Sequence, residues 1–180
     1  MKKVYFAHPV NIYGQPLEQA LESLIANALT EGDRERIENP NQPKHQVGYD
    51  NYARRARESQ TGHKGMNYFY DEVLPGCDGC VAVPFLDNKF GLGVAGEMQW
   101  FLRNNKPVWC FWNTLGIFEL SPDPVLPYFE RFILANDPRF VVPHEETRLR
   151  TWRVYNKERR PYEEAHLVSM PIPEGFYPNG

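Results

Sequence analysis

Three short apolar segments, Lys3 to His8, Gly79 to Pro84 and Pro107 to Trp112, are each followed or preceded by stretches with helical spacing of apolar residues. Strand-length runs of Val, Tyr, Phe, Cys and Trp alternating with such stretches predict parallel strands covered by helices on both faces. The helix after the first strand is marked by Leu17, Leu21, Leu24, Ile25, Ala28 and Leu29, with Pro16 suited to its first position and Gly32 to its stop. Arg36 to Glu38, just before Asn39-Pro40, reads as a short second strand. Residues 41–65, with Pro43, Gly48, Gly62 and Gly65, read as a long loop holding a short helix around Tyr52 to Glu58. Further helices are expected at Met66 to Leu74 and Gly93 to Arg103.

The expected fold is therefore α/β: a doubly wound, flavodoxin- or Rossmann-like parallel sheet of four or five strands. The chain has 180 residues, roughly one ordinary domain. We divide it into an α/β part over 1–120 and a C-terminal extension over 121–180, packed on the same domain or on a neighbouring subunit. The extension holds 9 of the 16 prolines and is expected to wrap irregularly, with one helix opened by Pro143. Glu145 and Glu146 would sit in its first turn, Leu149, Trp152 and Tyr155 would form an apolar stripe, and Arg153 and Lys157 would fall late, as the helix dipole prefers.

Twenty Lys and Arg stand against 23 Asp and Glu, a net charge of −3, which disfavours a nucleic-acid binder relying on global charge. No stretch approaches the ~20 apolar residues of a membrane span, and a strand rather than a signal-peptide core follows Met1-Lys2-Lys3, so a cytoplasmic protein without membrane contact is expected. Cys77 and Cys80 form a C-x-x-C pair with Cys110 the only other cysteine; without a second pair or matching histidines, buried packing is expected and no metal or cofactor.

Gly91-Leu-Gly93-Val-Ala-Gly96 has the spacing of a dinucleotide-binding turn. Six residues separate it from the preceding strand, the following strand ends on Asn113 rather than on an acidic residue, and Glu97 beside the third glycine would repel a pyrophosphate. A nicotinamide oxidoreductase is thus the weakest of three readings. In doubly wound sheets ligands bind beyond the carboxyl ends of the strands, where strand order reverses. If the first and third strands flank that crevice, His8, Pro9 and Tyr13 meet Asp87, Gly91, Gly93 and Glu97 there. A carboxylate so placed, with no Ser/His/Asp constellation in sight, suits displacement of a nucleobase from a sugar carbon through a covalent glycosyl intermediate.

Val4-Tyr-Phe-Ala-His-Pro9, Cys77-Asp-Gly-Cys-Val-Ala-Val83, an Asp in the following loop, and Gly93-Val-Ala-Gly-Glu97 before Pro107-Val108 together resemble the nucleoside 2-deoxyribosyltransferase superfamily, whose relatives include nucleotide N-glycosidases. The resemblance spans roughly Lys3 to Phe111. It implies that Glu97 is the nucleophile, that Tyr5 orients it through a phenol hydrogen bond, and that Asp87 contacts base or sugar, although Asp87 lies ten residues before Glu97, further than in the transferases. Asp71 is the nearest match to an acidic residue that the family carries ahead of the third strand. The family's sites are often completed by a neighbouring subunit, which implies a homo-oligomer to which Trp152, Tyr155, Tyr162 and Phe176 could contribute.

Each residue also has a structural reading. Glu97 can be a first-turn carboxylate serving the helix dipole, Asp87 a turn former, Tyr5 a core residue and His8 a capped histidine. Lys44, His45, Arg54, Arg55, Arg57, His63 and Lys64 outnumber Asp50 and Glu58 in the loop; they are either a solvated face or a site for a 5′-phosphate. With the latter, Tyr49, Tyr52, Tyr68 and Phe85 would stack on the base. The remaining alternative is a nucleotide-binding or sensing module of the same fold without turnover.

Overall fold

The computed structural model of the chain describes residues 3–59, 65–153 and 158–166. Its centre is a five-stranded sheet of order β2-β1-β3-β4-β5, built from β1 (Val4–Ala7), β2 (Ile37–Glu38), β3 (Gly79–Ala82), β4 (Val108–Thr114) and β5 (Ile117–Leu120). The first four run parallel; β5 turns back antiparallel on β4 through Leu115 and Gly116, both at positive φ. Strand order reverses between β1 and β3, which pair directly, Tyr5 opposite Cys80 and Ala7 opposite Ala82.

Alternation along the strands sorts the core into two layers. Tyr5, Ala7, Cys80, Ala82, Val108 and Cys110 face one side, where α3 (Leu92–Arg103) and α4 (Pro127–Leu134) cover them. Val4, Phe6, Val81, Val83, Trp109 and Phe111 face the other, under α1 (Pro16–Leu29). In α1 Pro16 sits in the first turn, Leu21 and Ile25 reach the core, and Leu24 and Ala28 lie on the outer side. The helix ends where Glu31 and Gly32 take positive φ and the Gly32 amide donates back to the Ala26 carbonyl at 2.9 Å. All three cysteines are free and buried, and burial pushes the Cys77 thiol up to about 11.

Two expectations are corrected. The short helix expected around Tyr52 to Glu58 is the second half of a 17-residue helix, α2 (Pro43–Ser59), which takes up most of the expected loop. Glycine reads as a helix breaker, yet Gly48 is needed inside this one because the Tyr68 ring lies directly against its Cα; a Cβ there would fall inside the 3.0 Å that real contacts respect. The same device recurs at Gly65, where a Cβ would meet the Tyr49 ring at 2.6 Å. Met66 to Leu74 is helical but irregular, with a π-turn at Phe69–Val73 running into a 3₁₀ turn at Leu74–Gly76.

The second correction concerns the C-terminal part, where α4 precedes the expected helix α5 (His144–Thr151). Pro127 lies in the first turn of α4, where its missing N–H costs nothing, and Phe129 and Ile133 bury on one face. The stripe expected on α5 does not form: its buried residue is Arg150, Leu149 is half-buried, and Trp152 and Arg153 lie past its end. Tyr155, Lys157 and Phe176 lie outside the described residues. Val141, Val142 and Tyr162 join the two core layers, so this segment shares the core of the sheet domain.

Candidate functional site

Beyond the carboxyl ends of β1 and β3 lies a cavity of about 190 Å³, bounded by His8 to Val10, Tyr13, Phe85, Gly91, Gly93 and Glu97. Tyr5 approaches it from below. Its phenol donates to Glu97 Oε1 at 2.7 Å, in a contact where Tyr5 has no exposed surface and Glu97 only 6%. Burial pushes the Glu97 carboxyl up to about 8, and the Tyr5 hydrogen bond, which favours the charged form, works against that rise. The Tyr5 phenol is raised well above its ordinary 10.0 by its own burial and by Glu97, so it stays the donor.

Glu97 stands in the second turn of α3, not the first, since Gly91 is the N-cap and no acidic residue lies in the first turn. The helix-dipole role therefore does not account for it. Two glycines of the run are used for packing: a Cβ on Gly91 would meet the Phe85 ring at 3.3 Å, and one on Gly96 the Tyr70 hydroxyl at 2.6 Å, while Gly93 faces open space. The third glycine of the apparent dinucleotide turn is thus occupied by a tyrosine. Asn113 holds loops together, its side-chain amide donating to the Leu86 carbonyl at 2.6 Å.

Other expected residues are placed differently. His8 borders the cavity, but its imidazole has no accessible surface and is turned onto Asn39 Oδ1 at 3.2 Å and Glu18 Oε1 at 3.4 Å. Burial opposes the charge on Glu18, yet hydrogen bonds from His8, Asn39 and the Gly14 amide prevail and lower it to about 2. The Gly14 contact also pins the Tyr13–Gly14 turn, so that turn is anchored rather than free.

Asp87 does not border the cavity. It accepts an ion pair from Arg150 at 2.8 Å and shapes its own turn by accepting from the Lys89 amide at 3.2 Å. Arg150, 4% exposed, also donates to Glu146 and lies over the Phe85 ring at 5.2 Å, so Asp87 serves to anchor α5 on the loop after β3. Asp71 is exposed on the π-turn, away from the cavity wall.

The basic residues of α2 do not reach the cavity either. Lys44 and His45 fold back on Glu38, Arg54 pairs with Glu58 at 4.0 Å, and Arg57 donates to the Ala53 carbonyl. His63 and Lys64 lie outside the described residues. Of the four aromatics expected to stack on a base, Phe85 alone borders the cavity; Tyr49 and Tyr68 pack on glycines, and Tyr52 donates to Glu72 at 2.6 Å.

Sequence reasoning missed Thr147 and Thr151, and expected Trp152 to complete a site from a neighbouring subunit rather than the cavity of its own chain. Thr147, Thr151 and Trp152 line the cavity, and Thr147 Oγ1 accepts from the Leu92 amide at 3.1 Å, tying α5 to the start of α3. The i, i+4 pair Thr147/Thr151 is visible as one helix face, but what that face meets is a long-range fact. Pro40, Met66 and Phe69 complete the apolar side. Among the described residues no group of three His, Cys, Asp or Glu side chains could hold a metal ion, and no helix is long and apolar enough to cross a membrane.

No protein-family model matches the chain, and no curated protein or solved structure matches it.

Proposed function

We propose that the chain cleaves or transfers the N-glycosidic bond of a nucleoside or nucleoside 5′-monophosphate, with Glu97 as nucleophile. The observation that carries this reading is the Tyr5–Glu97 pair: a buried carboxylate oriented by a phenol at 2.7 Å, bordering a largely apolar cavity at the reversal of strand order. On this reading the domain is a doubly wound, flavodoxin-like fold with its ligand at the switch point. The protein it describes is cytoplasmic and homo-oligomeric.

The chemistry balances as a double displacement. One Glu97 oxygen forms a bond to the anomeric carbon as the carbon–nitrogen bond breaks, and the departing base takes up a proton. Water, or a second base, then attacks the anomeric carbon and frees Glu97, giving up a proton in turn. Tyr5 holds the other carboxylate oxygen, fixing the line of attack. The cavity is smaller than the ~300 Å³ of an ordinary ligand pocket, so it suits the sugar, with the rest of the ligand extending past Tyr13 and Trp152.

Incubation with ribo- and 2′-deoxyribonucleosides and their 5′-monophosphates, followed by chromatography for free base, tests the reading. Release by the native chain is expected, with Glu97→Gln slower by about 10³-fold or more. Ligand-dependent thermal stabilisation without any released base would instead mark a binding module.

The rate should follow the ionisation of Glu97. Because burial holds that carboxyl near 8, kcat/KM is expected to rise with pH through about 8 as a single ionisation. Tyr5→Phe removes a hydrogen bond that favours the charged form, so it should move this limb up by about one pH unit and slow the reaction at pH 7 about tenfold. An unchanged limb in Tyr5→Phe would separate Tyr5 from the chemistry.

A further inference from the structure

The cavity mouth carries one cation whose placement the site described so far does not use. Arg159 lies in the strand-like return after α5, where it forms an antiparallel bridge with Trp152. Its guanidinium rests over the Tyr13 ring at 4.9 Å and donates through NH1 to the Val10 carbonyl at 3.2 Å. Val10, Tyr13 and Trp152 all line the cavity, so Arg159 touches its rim at three points. The side chain is exposed, and no carboxylate pairs with it among the described residues.

A guanidinium has five N–H donors in a planar fork, and the Val10 carbonyl occupies one side of it. The aromatic stack fixes its plane at little entropic cost, leaving further donors for a planar or tetrahedral oxyanion. Three other cations contrast with it: Arg150 is held by Asp87 and Glu146, Arg153 faces Glu158 at 3.9 Å, and Lys44 is bound to Glu38.

Tyr13 lines the same cavity as Glu97 and carries Arg159 over its ring. Its phenol is raised mainly by burial and further by Glu97, and lowered by Arg159. A nucleotide presents the same polarity. Its anomeric carbon, where positive charge develops, lies across the sugar ring from the 5′-phosphate.

We propose that Arg159 is the anion-recognition residue of this cavity, so that its ligand is a nucleoside 5′-monophosphate rather than a neutral nucleoside. The inference rests on the proposed function, since it takes the sugar to be bound at Glu97. The phosphate then lies at the mouth over Tyr13, and the fork of Arg159 closes on it.

Isothermal titration of the Glu97→Gln chain, which holds ligand without turning it over, tests this with the four 2′-deoxynucleoside 5′-monophosphates, their ribo counterparts and the matching nucleosides. At least one monophosphate is expected to bind tenfold or more tighter than its nucleoside, with the margin shrinking as salt is raised. Adding Arg159→Ala should abolish that margin while leaving nucleoside affinity within about twofold, and Arg159→Lys should restore part of it. A purely structural Arg159 would weaken both ligands together, because loss of the Tyr13 stack loosens the same wall for each. Equal binding of monophosphate and nucleoside, or a margin that survives Arg159→Ala, would overturn the assignment and leave the proposed function standing. Failure of every nucleoside and nucleotide to bind would remove both.

Discussion

Glu97→Gln should stabilise the protein at pH 9 by roughly 3–5 kcal/mol and leave its stability at pH 4 nearly unchanged. The sign follows from the direction of the shift. Burial raises the Glu97 carboxyl from its ordinary 4.5 to about 8 in the folded chain. Below about 4.5 the group is protonated whether folded or not, and no penalty exists. Between there and about 8 the unfolded chain loses the proton while the folded chain keeps it, so stability falls by about 1.4 kcal/mol per pH unit. Above about 8 both forms are charged and the cost is constant.

Glutamine has nearly the shape of the protonated acid and retains an oxygen to accept from Tyr5, so it removes the titration without opening a cavity. Urea unfolding at pH 4, 6.5 and 9 reads the difference directly. A variant no more stable than the native chain at pH 9 would mean that the carboxylate is well solvated, and the buried nucleophile would go with it. Gained stability together with lost base release is the mark of a group placed for chemistry rather than for folding.

Gly48→Ala is expected to lower stability by about 1–3 kcal/mol, although the same change in the interior of an exposed helix raises it by about 0.5–1 kcal/mol. The reversal comes from Tyr68, whose ring occupies the space a Cβ would need. That ring has little freedom to retreat: its hydroxyl lies 3.2 Å from His45 Nδ1, and its ring packs edge-on against Phe69 at 5.2 Å and Tyr52 at 5.7 Å. In a Tyr68→Ala background the space is open and the helical preference for alanine should reappear, giving a positive effect of Gly48→Ala. Denaturant midpoints for the four chains of this cycle decide it, and a stabilising Gly48→Ala in the native background would contradict the packing.

The order of the strands through β4, and of helices α1 and α3, was legible because each element carries its own local signal. Val4 to Ala7 and Gly79 to Ala82 are short, apolar and bounded by turn residues, and Leu21 with Ile25 keeps helical spacing. The π-turn at Phe69 and the first half of α2, ahead of the helix expected around Tyr52 to Glu58, were not legible, because Gly48 reports on a tyrosine twenty positions away rather than on its neighbours. Helix α4 was hidden because the prolines of the extension, read together, signal irregular wrapping, whereas Pro127 in the first turn of α4 is an initiator.

Whereas the Tyr5–Glu97 contact was expected only from the family resemblance, the convergence of Pro9, Tyr13, Gly91, Gly93 and Glu97 was readable from chain order alone, since parallel strands joined by helices bring their carboxyl ends to one edge. Which way each side chain turns was not. His8 and Asp87 have the right addresses but are drawn off by Glu18 and Arg150, partners 10 and 63 positions away along the chain. Thr147, Trp152 and Arg159 come to the cavity only because the C-terminal segment packs back over its mouth. Periodicity encodes what a residue does for its own helix or strand, so it sets the scaffold and the edge where a ligand can sit. Burial, pairing and the weakened acidity of Glu97 depend on groups remote in sequence, and only the folded packing decides them.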